Sequence, residues 1–398
     1  MITRAERVLL DRIDGAALVA RAVNWAGINS GSSHLAGLRR MADVLADALA
    51  DLPGMVERIP LAPVAQVLAN GDVVEVAQGE ALRLTVRPEA PLQVALTGHY
   101  DTVFGADSPF QSVILRPDGA LNGPGIADMK GGISVMLGAL AAADRADFGY
   151  TVLLSPDEET GSLASAPLLA DLARRASVGL TYEPALPDGT LASARKASGN
   201  YHVVITGRAA HAGRDFAAGR NAIAAAARIA AALDACNGAR DEVTFNVARI
   251  DGGGASNIVP DRAVLRFNVR LPDAGDQAWV DQAIAAALAL AGPDIATHLH
   301  GGITRAPKPF TPDQQRLFAS MRAVGADLGQ VIGWKPSGGV CEGNNLFAHG
   351  LPNIDTLGVR GGAIHSEEEF ALPESFAERA GLSALWLARW VERGGGWN

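Results

Sequence analysis

Three short segments carry side chains suited to holding cations. Gly98-His99-Tyr100-Asp101-Thr102 offers an imidazole and a carboxylate, Ala127-Asp128-Met129-Lys130-Gly131-Gly132 a further carboxylate, and Asp157-Glu158-Glu159-Thr160-Gly161 a run of acids. Glu183, in Leu180-Thr181-Tyr182-Glu183-Pro184, and His365, in Gly361-Gly362-Ala363-Ile364-His365-Ser366, complete a mixed nitrogen and oxygen donor set. Such a set suits two zinc ions that share one bridging carboxylate and one activated water. Cobalt or manganese would fit the same atoms.

The elements that must position these residues can be read from the pattern around them. Leu92 to Thr97, Tyr150 to Ser155 and Val178 to Tyr182 are short, apolar and bounded by turn residues, which predicts buried strands. Each leads into a candidate ligand, and in open α/β sheets sites form beyond the carboxyl ends of the strands. Met129 to Ala143 predicts a helix whose start lies beside Asp128, where the helix dipole favours a carboxylate. Adjacent Glu158 and Glu159 cannot both face one site from a strand, so they are expected in a turn after Pro156. The fold class expected is α/β with a mostly parallel sheet.

The texture changes near Ser198. Strand-like Tyr201 to Thr206, an Ala-rich helix from Arg220 to Ala235, strands at Val243 to Ile250 and Ala263 to Leu271, and a helix at Asp276 to Ala291 suggest an inserted α+β domain. Two helices on one face of a small four-stranded antiparallel sheet is the economical arrangement. The expected division is 1–197 and 307–398 for a discontinuous catalytic domain and 198–306 for the insert. The Gly394-Gly395-Gly396 tail is expected to fray.

At 398 residues and 48% hydrophobic, the chain can bury such a site. A formal net charge of −9 argues against nucleic acid or an anionic membrane surface as main partner. Two cysteines, Cys236 and Cys341, make neither a disulfide framework nor a Cys-rich zinc site, which fits a reducing, cytoplasmic setting. The N-terminus does not read as a signal peptide, and no uncharged apolar run approaches the roughly 20 residues of a membrane span.

The ordered motifs His-x-Asp, Gly-Pro-Gly-x-Ala-Asp-Met-Lys-Gly-Gly, Asp-Glu-Glu-x-Gly-Ser, Tyr-Glu-Pro and Gly-Gly-x-x-His-Ser resemble the co-catalytic zinc amidohydrolases. That family includes glutamate carboxypeptidase, aminoacylase, acetylornithine deacetylase and succinyl-diaminopimelate desuccinylase; the match around Gly98 to Gly132 and in the insert is most similar to glutamate carboxypeptidase. The similarity extends to Gly207-Arg208-Ala209-Ala210-His211-Ala212-Gly213 and Gly252 to Pro260, with Arg270 beyond. It implies that His99 and Glu183 hold one zinc, Glu159 and His365 the other, with Asp128 bridging. It implies too that Glu158 is the general base and that Asp101 orients His99. His211 would stabilise the oxyanion from the lid, in dimeric members from the partner subunit. Asn257 and Arg270 would hold the substrate carboxylate, Arg by its fork. A homodimer through the lid follows from the same likeness.

The expected activity is hydrolysis of an N-acyl amino acid or a C-terminal, glutamate-type conjugate. Glu183, where aminopeptidase relatives tend to carry Asp, favours this over a di- or tripeptide aminopeptidase. A non-catalytic binding protein would have no need of Glu158. One stretch departs from the family: in Ser337-Gly338-Gly339-Val340-Cys341-Glu342, Cys341 and Glu342 stand where relatives commonly have Ser or Thr followed by Asp. Cys341 has no histidine partner pattern and is expected to pack. His202, His298, His300 and His349 match no motif and read as structural or solvated.

Overall fold

Alternation of apolar strands with helices produces a layered core. A computed structural model describes residues 1–145 and 147–397. The central sheet runs in the order Met55–Pro60, Glu80–Val86, Gly149–Ser155, Gln93–His99, Val178–Thr181 and Asn353–Ile354. The last four strands are mutually parallel, and Glu80–Val86 runs antiparallel to both of its neighbours. The parallel strands are buried almost throughout, as a sheet covered on both faces requires.

The helices Gly15–Ala26, Lys130–Ala143 and Glu374–Glu392 cover one face in the main apolar core. On the other face Ala166–Arg175 and Glu342–Ala348 pack through Leu169, Leu172 and Leu346 against Ala95 and Leu153. Helix Lys130–Ala143 approaches the sheet so closely that a Cβ on Gly132 would stand 1.9 Å from the Tyr182 carbonyl oxygen. Glycine is required there, which explains the Lys-Gly-Gly run and seats Asp128 against the strand ends.

A second sheet, fully antiparallel, runs Thr244–Gly252, Arg262–Leu271, Ala197–Thr206 and Ala296–Arg305. Its alternate residues Tyr201, Val203, Ile205, Leu265 and Phe267 pack under helices Ala222–Asp234 and Gln277–Leu288 in a core of their own. We call this layer the lid. The strand Ala296–Arg305 has no clear signal in the sequence: its four glycine or histidine interruptions, His298, His300, Gly301 and Gly302, weaken the alternation. The lid's other face meets the hairpin Val64–Val67 and Val73–Val76 through Val67, Val204 and Val264.

The Gly-rich tail is not frayed. Gly395, at φ +88°, donates its amide to the Trp390 carbonyl and turns the chain back, and Trp397 stacks on Trp390 and Trp386. Aromatic area offsets the ordering cost of the glycines. Among the described residues no helix is long and apolar enough to cross a membrane.

Candidate metal centre and substrate cavity

Parallel strands end at one edge of the sheet, so the segments that follow them converge there. His99 is the last residue of its strand, Glu158 to Thr160 form a single 3-10 turn after Gly149–Ser155, and Glu183 follows Val178–Thr181. The turn lets Glu158 and Glu159 face the same space. Asp128 stands between two histidines: one carboxylate oxygen is 3.0 Å from His99 Nε2, the other 3.3 Å from His365 Nε2. Glu183 lies 3.8 Å from His99 Nε2 on one side, and Glu159 3.1 Å from His365 Nε2 on the other. His99, Asp128 and Glu159 offer ligand atoms within 4.8 Å of one another, as do His99, Glu158 and Glu183.

Burial decides the electrostatics. Desolvation pushes the Glu183 carboxyl up to about 8, with Asp128 adding to the rise, and that of Glu159 up to about 7. Burial opposes ionisation of Asp128 as well, yet His365 and His99 hold it below the usual carboxylate range. His365, hydrogen-bonded to Asp128 and Glu159, is raised to about 11; burial opposes charge on His99, but Asp101, Asp128 and Glu183 hold it well above the ordinary value. The group thus keeps protons at neutral pH that a divalent cation would replace. The donor set is hard and mixed, and it fits one or two such cations.

Asp101, marked by the His-x-Asp motif, and two residues the motifs leave unmarked, Glu369 and Arg305, support this arrangement. Asp101 lies 3.3 Å from His99 Nδ1 and also accepts the amides of Glu158 and Glu159 at 3.1 and 3.2 Å, so one buried carboxylate fixes both the ring and the acidic turn. Glu369 accepts the amides of Gly125, Ala127 and Asp128, fixing the loop that carries Asp128. Nothing in the His-Ser-Glu-Glu-Glu run signals which acid does this. Arg305, 4% exposed, places Nη1 2.7 Å from Glu158 Oε1 and donates from Nη2 to Glu158 O and Ser162 Oγ at 3.0 and 2.7 Å.

The acids Asp128, Glu158, Glu159 and Glu183 line a cavity of about 430 Å³, and so do the cations Arg195, Arg270, Arg305 and Lys335. Arg305 is taken by Glu158, and Arg195 chelates Asp355 at 2.8 and 3.1 Å. Arg270 donates only to Asn268 Oδ1 and the Gly338 carbonyl, and among the described residues neither it nor Lys335 has a carboxylate within ion-pair distance. His211 and Asn257 are not brought to this cavity. They lie exposed on the short ladder of Ala210–His211 with Ile258–Val259, where His211 Nδ1 accepts the amides of Gly213 and Arg214. Cys341 is buried and caps helix Glu342–Ala348 through its sulfur, a packing and capping role.

Residues 95–389 match the model of peptidase family M20/M25/M40. The chain is 30% identical to carboxypeptidase G2 of Pseudomonas sp. (strain RS-16) over 69% of its own length and 68% of that protein's. It is 26% identical to succinyl-diaminopimelate desuccinylase of Verminephrobacter eiseniae (strain EF01-2), over 83% and 86% respectively. Its fold is that of a tripeptidase from Staphylococcus aureus, with a TM-score of 0.74, 20% identity and coverage of 96% of this chain and 99% of that one. The M20 family metallo-carboxypeptidase from Sulfolobus solfataricus gives a TM-score of 0.72 at 16% identity, covering 94% and 99%. The chain belongs to the peptidase family M20/M25/M40, a family of metal-dependent hydrolases.

Proposed function

We propose that this member of peptidase family M20/M25/M40 is a dinuclear zinc amidohydrolase that frees an amino acid from an N-acyl or C-terminal, glutamate-type conjugate. The observation that carries the reading is the cavity itself, which is lined both by the cation-holding acids and by Arg270, a guanidinium without a carboxylate partner among the described residues. The relatives named carboxypeptidase G2 and succinyl-diaminopimelate desuccinylase support it.

His99, Glu183, Asp128, Glu159 and His365 would hold the cations, with Asp128 shared. When bound, divalent ions there supply Lewis acidity towards an amide carbonyl and lower the pKa of water to about 7. Glu158 takes the proton of the attacking water and returns it to the leaving nitrogen. Asp101 keeps the His99 ring and the Glu158 turn in register. Arg270 receives the carboxylate of the released amino acid in its fork. Asn257 and His211, exposed on the lid, complete the cavity of a second copy in a homodimer. Mixing Glu158→Ala with His211→Ala protein should then restore part of the activity that each lacks alone.

The test is amide hydrolysis by zinc-loaded protein on N-acyl amino acids, C-terminal glutamate conjugates and free dipeptides. Glu158→Ala should lower turnover by about 10²–10⁴-fold with its metal content unchanged. Release of an N-terminal residue as the preferred reaction would replace this reading with an aminopeptidase. Metal-independent turnover, or none on any class, would refute it.

A further inference from the structure

The reaction as set out leaves Arg305 without a task, although its side chain is among the most deeply buried cations in the molecule. We propose that Arg305 is the positioning residue for Glu158: its guanidinium clamps the carboxylate and the backbone of the same turn, so that the base is held at one angle to the cation-binding group. The inference rests on Glu158 acting as the base.

The contacts argue for this task over substrate binding. Nη1 sits on Glu158 Oε1, while Nη2 spans Glu158 O and Ser162 Oγ. Both terminal nitrogens are therefore spent on residues 158–162, and the side chain is only 5% exposed. An ion pair at the carboxylate, from a guanidinium that is itself hydrogen-bonded to the backbone carbonyl of the same residue, restricts rotation about the Glu158 side-chain bonds. A planar fork can do this and an ammonium cannot. The clamp also supplies a positive charge to a buried carboxylate among like charges, where an uncompensated anion would be costly.

The origin of Arg305 adds a second argument. The chain enters the lid at Ala197–Ser198 and returns at Arg305, and Ser198 pairs with Arg305 in the sheet register. Asn344 of the body donates from Nδ2 to both crossings, to Lys196 O at 3.1 Å and Ala306 O at 2.7 Å. Arg305 thus projects from the junction where lid and body are pinned together. Points near a pivot move least, so a rotation of the lid about this junction would leave the guanidinium on Glu158.

The experiment has a kinetic arm and a structural arm. In Arg305→Ala, kcat should fall about 10²-fold with KM within about 3-fold and metal content unchanged, since misplacing a group by an ångström costs this much. Added guanidinium ion should restore part of kcat, and Arg305→Lys should lie between wild type and alanine. Crystal structures should show the Glu158 carboxylate turned away from His99 and Glu183 in Arg305→Ala. A rise in KM at constant kcat would make Arg305 a substrate ligand and overturn the proposal. So would Glu158 remaining in place, or a kcat loss that guanidinium cannot restore. If the alanine protein fails to fold, Arg305→Lys carries both arms. If wild type hydrolyses no amide, the hydrolase reading fails while the crystal structures still decide whether Arg305 holds Glu158.

Discussion

Two buried charge clusters lie within this molecule, and they are built on opposite principles. Around Asp355, Arg195 and Lys308 supply two cations to one carboxylate, with Arg195 also donating to the Gly339 carbonyl. Burial opposes ionisation of Asp355, but its cations hold it at about 2, and Arg195 is pushed above its ordinary value. Around Asp128 the acids outnumber the bases, and Glu183 and Glu159 are forced up to about 8 and 7. The first cluster is complete in protein atoms alone. The second is complete only when protons or metal cations supply the missing positive charge. A buried anion paired by the protein's own cations marks structure, whereas a set of buried metal-ligand carboxylates short of cations marks a binding centre.

Breaking the complete cluster should have the largest effect on stability. Asp355→Ala leaves Arg195 and Lys308 buried without their anion and should cost about 3–5 kcal/mol in urea unfolding. A loss within about 0.5 kcal/mol, typical of a surface change, would show the cluster to be dispensable. The incomplete cluster should instead respond to pH. His99, His365, Glu183 and Glu159 must give up protons to a cation, so affinity rises with pH and falls as it drops. Each proton displaced should weaken zinc affinity about 10-fold, or about 1.4 kcal/mol, for each pH unit below 7. Calorimetric titration in buffers of different ionisation heat counts the protons, and a pH-independent affinity would contradict the comparison.

The smallest effect separates the two clusters from a third buried acid. Glu342 accepts a hydrogen bond from Ser155 Oγ, and burial lifts its carboxyl to about 8 from 4.5. Between those values the folded state keeps a proton that the unfolded chain releases, so its contribution to stability is present at low pH and is lost as pH rises through 8. Glu342→Gln removes the titration. Relative to wild type it should gain stability steadily as pH rises from about 5 to about 8.5, read from thermal melts across that range. A pH-independent difference would place Glu342 outside the buried set.

The same contrast explains what could be read from the sequence. The strand runs at Gln93–His99, Gly149–Ser155 and Val178–Thr181 were legible because burial on both faces leaves continuous apolar segments with abrupt polar ends, and each end carries an acid or imidazole. The lid helices were legible by their Ala-rich periodicity. Arg305 and Asp355 were not, because a single charged residue at or just beyond a strand end looks the same whether it meets solvent or a partner more than 100 residues away. The cis peptide between Asp128 and Met129 also had no sequence signal. The exposed placement of His211 and Asn257 was equally hidden, since motif spacing does not fix the direction a loop faces.

Equilibrium dialysis of metal-free protein against zinc, with metal counted per chain in wild type and Asp128→Asn, tests the account most directly. It predicts saturation near about two ions per chain for wild type and loss of tight uptake when the shared carboxylate is removed. A folded wild-type protein that takes up no zinc saturably, or an Asp128→Asn protein that binds as wild type does, would contradict it.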